Sequence, residues 1–156
     1  MDDLIKALLL WIAANSSYPT ADLPPPAVVT MTPEALTAEA YAHVPEVRPA
    51  DGVDERLFAL YAFEQGPHGT IYVLECRATE RSGPDGTGCD DPLFQERLLH
   101  ELVHHVQYHS GVYARLPCRA AAEKEAYLLG GEYLAARRAS DPLPNRNFWA
   151  HVYSRC

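Results

Sequence analysis

The chain has 156 residues, 47% of them hydrophobic and 22% charged, and a formal net charge of −8 at pH 7. That length suits one domain with a hydrophobic core of its own, and the apolar content excludes a disordered chain. The acidic balance excludes the basic footprint that a nucleic-acid partner demands, and neither phosphate-loop pattern (GxxxxGK[ST] or GxGxxG) occurs to support nucleotide binding.

Along the chain, "LIKALLLWIAA" (4–14) is too short to span a bilayer. Its flank is Asp2–Asp3 rather than basic, so a short amphipathic helix packed on the domain is expected rather than a signal peptide. "YPTADLPPPAVVTM" (18–31) is a proline-rich connector entering a short apolar run that suits a strand. In "TPEALTAEAYAH", Thr32 is a natural N-cap, Pro33 the first helical residue and Glu34 an acid in the first turn. "VPEVRPADGVD" reads as loop. "RLFALYAFEQGPHGTIYVLE" (56–75) predicts a β-hairpin, two runs of aromatic and branched residues around the turn "QGPHG".

A loop over 77–91, with Gly83, Pro84, Gly86 and Gly88, precedes a long helix that "DDP" caps. This helix runs from about Pro92 to Ser110 and ends at Gly111. Pro117 opens a second helix reaching about Arg138, where two arginines suit the negative end of its dipole. The tail "PLPNRNFWAHVYSRC" is expected to be irregular and docked through its aromatic residues. The pattern as a whole predicts a single α+β domain, a small, mostly antiparallel sheet packed on helices.

None of the four cysteines forms a CxxC pair, which argues against a structural zinc knuckle. Of the three possible pairings, Cys76–Cys89 would close the loop "RATERSGPDGTG" and Cys118–Cys156 would pin the chain terminus. Two disulfides imply an oxidising compartment, hence a secreted or periplasmic protein; four thiols in a cytosolic protein are the alternative.

The stretch "LLHELVHHVQ" (98–107) sets three histidines and a glutamate into an apolar helix. His100 and His104 lie about 40° apart on the helical wheel and roughly 6 Å apart along the axis, so both imidazoles reach one point. Glu101 sits about 100° round, on the flank of that face. This is the H-E-x-x-H arrangement, two zinc ligands with a general base beside them. Leu99, Val103 and Val106, with Leu98 and Leu102, make the rest of the helix apolar, and a metal offsets the cost of burying the polar trio. His105 and His109 point away and read as packing or surface residues. Gln107 and Ser110 stand where H-E-x-x-H-x-x-G-x-x-H needs Gly and His, so the third ligand lies elsewhere.

"RAAAEKEAYLLGGEYL" (119–134) offers two carboxylates. The face of Glu123 carries Ala120, Ala126, Tyr127, Gly130 and Leu134, a surface made to press on another helix. Glu125 falls about 200° away, beside Glu132, on a charged face. Glu123 is therefore the expected third ligand; a buried Glu123 paired with an arginine such as Arg119 is the alternative. His100, His104 and Glu123 give an open His₂Glu set, the catalytic rather than the structural kind.

On these motifs, "HELVHHVQ" (100–107) and "EKEAY" (123–127), the chain resembles the glutamate-zincins, or gluzincins. Within them it is similar to minimal metallopeptidase-like families with H-E-L-x-H-x-x-Q followed by E-x-E-A-[YDN]. The likeness covers about residues 92–135. It implies a zincin-like fold, Zn²⁺ as cofactor, and the first glutamate of E-x-E-A, Glu123, as ligand. The departure is Tyr127, where the best-known members carry Asp to orient a zinc-bound histidine; Tyr127 would hydrogen-bond there or face a developing oxyanion. The resemblance also suggests an edge strand beside the metal, with Thr70–Glu75 as the candidate to bind extended peptide by strand addition; an ordinary core hairpin is the alternative.

The expected activity is zinc-dependent peptide hydrolysis, with Glu101 as general base. A zinc-binding domain without proteolysis, or a zinc hydrolase of a non-peptide amide or ester, are the rivals.

Overall fold

A computed structural model describes residues 1–20, 22–76 and 88–156. Helix α1 (Asp2–Asn15) buries Ile5, Leu8 and Ile12 on one face, as an amphipathic helix should. Strand β1 (Ala27–Met31) leads into helix α2 (Pro33–Ala40), where the Thr32 hydroxyl accepts a hydrogen bond from the Ala35 amide at 3.3 Å. Strands β2 (Ala59–Ala62) and β3 (Thr70–Leu74) are antiparallel, Ala59 facing Val73 and Ala62 facing Thr70, which is the expected hairpin.

The sheet is mixed rather than mostly antiparallel. Its order is β1-β3-β2, and β1 runs parallel to β3 with Ala27 opposite Thr70 and Met31 opposite Leu74. The expectation that Thr70–Glu75 forms a substrate-binding edge is thereby corrected: β3 is the central strand and its hydrogen bonds are taken on both sides. The physical reason is burial, since Ile71, Val73 and Leu74 are all less than a tenth exposed, the continuous apolar run of a strand covered on both faces. The edge beside α3 is β2.

Helix α3 (Pro92–His109) forms as its sequence dictates: Asp91 accepts from the Leu93 amide at 3.0 Å, Pro92 fills the first position, and Gly111 follows at φ 72°. Leu98, Leu99, Leu102, Val103 and Val106 are fully buried, packed with Ile71 and Val73 of the sheet and Leu8 and Ile12 of α1. The second helix starts later than expected. Cys118 is extended, residues Arg119–Ala122 make a single 3₁₀ turn, and α4 spans Glu123–Ala136. Its small residues Ala126 and Gly130 are buried, so α4 sits close on α3. The tail is not irregular: Arg146–Tyr153 is helix α5.

Both expected disulfides are present, Cys76–Cys89 and Cys118–Cys156, with Cα atoms 5.0 and 5.8 Å apart. Most of the loop expected over 77–91 lies outside the described residues; its end, Gly88–Asp90, is a 3₁₀ turn. Among the described residues no helix is long and apolar enough to cross a membrane.

Candidate metal centre

Helix α3 holds His100 and His104 on one face and α4 brings Glu123 against them from its first turn. The donor atoms of the three residues all lie within 4.8 Å of one another. His100 Nε2 is 3.2 Å from His104 Nε2 and 3.2 Å from Glu123 Oε2, and His104 Nε2 is 3.4 Å from Glu123 Oε1. Zinc–nitrogen bonds near 2.0–2.1 Å in a tetrahedron separate neighbouring donors by about 3.3 Å, so the three spacings fit one small cation. The donor chemistry fits as well: two imidazoles and a carboxylate, a set zinc favours.

The electrostatics say the same thing from the protein's side. Burial alone would raise the Glu123 carboxyl, but hydrogen bonding to His100 and His104 outweighs it and holds the group well below the usual carboxylate range. Burial alone would depress His104, yet its hydrogen bond to Glu123 and the charges of Glu101 and Glu123 raise it to about 9. The cluster is a place that stabilises a positive charge. Arg119 does not supply it, since its guanidinium sits 5.5 Å from the centre of the Phe63 ring and Glu123 is met by the histidines instead.

Glu101 is half-buried on the flank of the pair. Two cavities meet there, sharing Ala59, His100 and Glu101 as a common boundary. One, of 310 Å³, opens on all three candidate ligands and is walled by Phe63, Tyr108, Tyr113 and Arg119. The other, of 340 Å³, is walled by Phe58, Arg97, Tyr127 and Leu143. Residues Ala59, Leu60 and Tyr61 of β2 line the first, so the edge of the sheet borders the site.

Tyr127 meets His100 ring edge to ring face, centroids 4.9 Å apart at 82°, and stacks on Tyr153 of α5 at 5.3 Å. Its hydroxyl is pushed up to about 12 by burial, with the Glu123 charge adding, so it stays a phenol at neutral pH. Glu125, the competing carboxylate, is exposed and takes a hydrogen bond from the Tyr18 hydroxyl, away from the histidines. His105 is fully buried and His109 faces His68, its Nε2 3.1 Å from the His68 carbonyl oxygen. Neither joins the cluster. Two residues that do matter carry no obvious signal: Gln107, whose only mark was its place in the motif, and Tyr18, on the connector after α1.

Compared with protein-family models, with curated proteins and with solved structures, the chain matches none.

Proposed function

We propose that this chain is a zinc-dependent hydrolase that cleaves peptide bonds. The observation that carries the reading is the convergence of His100, His104 and Glu123 on one cation-sized point with a separate carboxylate, Glu101, at the junction of two cavities. His100, His104 and Glu123 would hold the metal; when bound, zinc supplies Lewis acidity that polarises a carbonyl and acidifies water. Glu101 is the general base. It takes a proton from the attacking water as the oxygen bonds to the scissile carbonyl carbon, and the same proton passes to the amide nitrogen as the C–N bond breaks.

The cavities on either side of Glu101 give an extended peptide room on both sides of that bond. The peptide's backbone would pair with the outer edge of β2, in place of the Thr70–Glu75 strand. Tyr127, a protonated phenol bordering the cavity it shares with Glu101, is the candidate hydrogen-bond donor on that side. The zincin-like likeness of the motifs supports this reading, and the two disulfides suit a protein working outside the reducing cytosol, secreted or periplasmic.

The test is metal content by mass spectrometry on protein purified without a metal-affinity tag. One zinc per chain in wild type and Glu101→Gln, with depletion in Glu123→Ala, is the expected result; peptide cleavage should then be lost in Glu101→Gln alone of the two zinc-loaded proteins. Zinc retained in full by Glu123→Ala would make the third ligand wrong. No zinc after reconstitution would remove the enzyme reading, and zinc without hydrolysis of a peptide library would leave a metal-binding domain.

A further inference from the structure

We propose that Gln107 is a positioning residue that braces both ligand-bearing helices, and that Tyr18 and Glu125 anchor it from outside the motif; this rests on the metal-site reading above. Gln107 is 2% exposed and every polar atom of its amide is engaged. Its nitrogen donates to the Ala122 carbonyl at 3.0 Å and to the Tyr18 hydroxyl at 3.1 Å. With both hydrogens so used, its oxygen, 3.0 Å from His104 Nδ1, can only accept. His104 therefore keeps a proton on Nδ1 whether or not it is charged, so the nitrogen that a metal would strip of its proton is Nε2, the one facing His100 and Glu123. The tautomer that can ligate is fixed by a neighbour one helical turn away.

The second half of the brace is positional. Ala122 immediately precedes Glu123, so the same amide that orients one ligand ties down the backbone that presents another. Its own anchor continues outward, since Tyr18 accepts from Gln107 and donates its single hydrogen to the Glu125 carboxylate. The chain His104–Gln107–Tyr18–Glu125 thus gives a role to two motif letters, the Gln of H-E-L-x-H-x-x-Q and the second Glu of E-x-E-A, that the metal set leaves idle. It also makes the connector after α1 part of the metal centre.

The experiment measures zinc affinity by chelator competition, and the visible spectrum of the cobalt-substituted protein, for wild type, Gln107→Met, Tyr18→Phe and Glu125→Gln. Gln107→Met keeps the volume and removes both hydrogen-bonding ends. It should weaken zinc binding about 10- to 100-fold and shift the cobalt bands, with smaller losses for Tyr18→Phe and Glu125→Gln in the order of their distance from His104. Should Gln107→Met not fold, the other two variants still decide. In zinc-loaded wild type, ring ¹H–¹⁵N correlations should place the His104 proton on Nδ1. Affinities equal to a metal-binding wild type, or His104 ligating through Nδ1, would overturn the inference while leaving the metal site intact. A wild type that binds no metal would overturn both.

Discussion

Next to His104, the proposed ligand, stands His105, and the two show how burial and partners decide what an imidazole does. Both ring nitrogens of His105 are engaged: Nε2 lies 2.8 Å from the Pro24 carbonyl oxygen and Nδ1 lies 3.0 Å from the Tyr61 hydroxyl. A carbonyl only accepts, so Nε2 carries the proton and Nδ1 accepts from Tyr61. Burial, helped by nearby His109, pushes the group down to about 4, so it is neutral at physiological pH and packs as a core residue. Tyr61→Phe should then leave a buried ring nitrogen unpaired at a cost of about 1–3 kcal/mol. Urea unfolding would read the loss, with zinc content unchanged because His105 points away from the ligands. A midpoint equal to wild type would mean that the contact contributes nothing.

At the scale of elements, α5 depends on one arginine. Arg146 is 8% exposed, donates to Glu96 at 2.8 Å and forks onto the two Asp141 oxygens at 2.7 and 2.8 Å. Gly130 and Gly131 make room, for a Cβ at Gly130 would collide with the Glu96 carboxylate and one at Gly131 would lie 2.7 Å from the Arg146 side chain. Arg146→Met should destabilise the chain by about 3–5 kcal/mol, because it strands the Glu96 charge in the interior, and adding Glu96→Gln should recover part of that. Chemical denaturation of the two variants checks both statements. Hydrogen bonds from Arg146 hold Asp141 below its usual value. The unfolded chain therefore takes up the proton first, so this contribution is intact above about pH 4 and is lost as pH falls below it. The same dependence explains why α5 was not legible in sequence. Asn145, at φ 56°, offers no side-chain capping hydrogen bond, and the buried partner of Arg146, Glu96, lies 50 residues away in the chain. In contrast α3 announces itself, with an Asp–Pro start, a glycine stop and an apolar surface between them. The His–His–Glu set was legible because it needs only helical spacing on two helices. The place of β3 at the centre of the sheet was not, since its parallel partner β1 is distant and only burial on both faces hints at it. The role of Gln107 was not legible for a related reason, although the motif marked its position: an amide is informative only once its partners are known.

For the whole molecule, the disulfides and a metal at the proposed site would act on different states. Cys118–Cys156 joins residues 38 apart and Cys76–Cys89 residues 13 apart. Loop-closure entropy assigns them about 4 and about 3 kcal/mol, exerted on the unfolded chain. Zinc bound at the proposed site would act on the folded chain alone and add about 2.7 kcal/mol at a free concentration 100 times its dissociation constant. Replacing Cys118 and Cys156 by Ser should thus lower stability by about 4 kcal/mol while the increment from zinc survives, read as the difference between urea midpoints in zinc and in chelator. The alternative outcome would be as informative. Cys118 lies just ahead of Glu123, and Cys156 follows the helix whose Tyr153 stacks on Tyr127 beside His100. A zinc increment lost together with the disulfide would mean that α5 is held on the site by the covalent link rather than by Arg146 and the aromatic stack. Expected here is the first result, because Arg146 remains in its pocket with all of its partners when the sulfurs are gone.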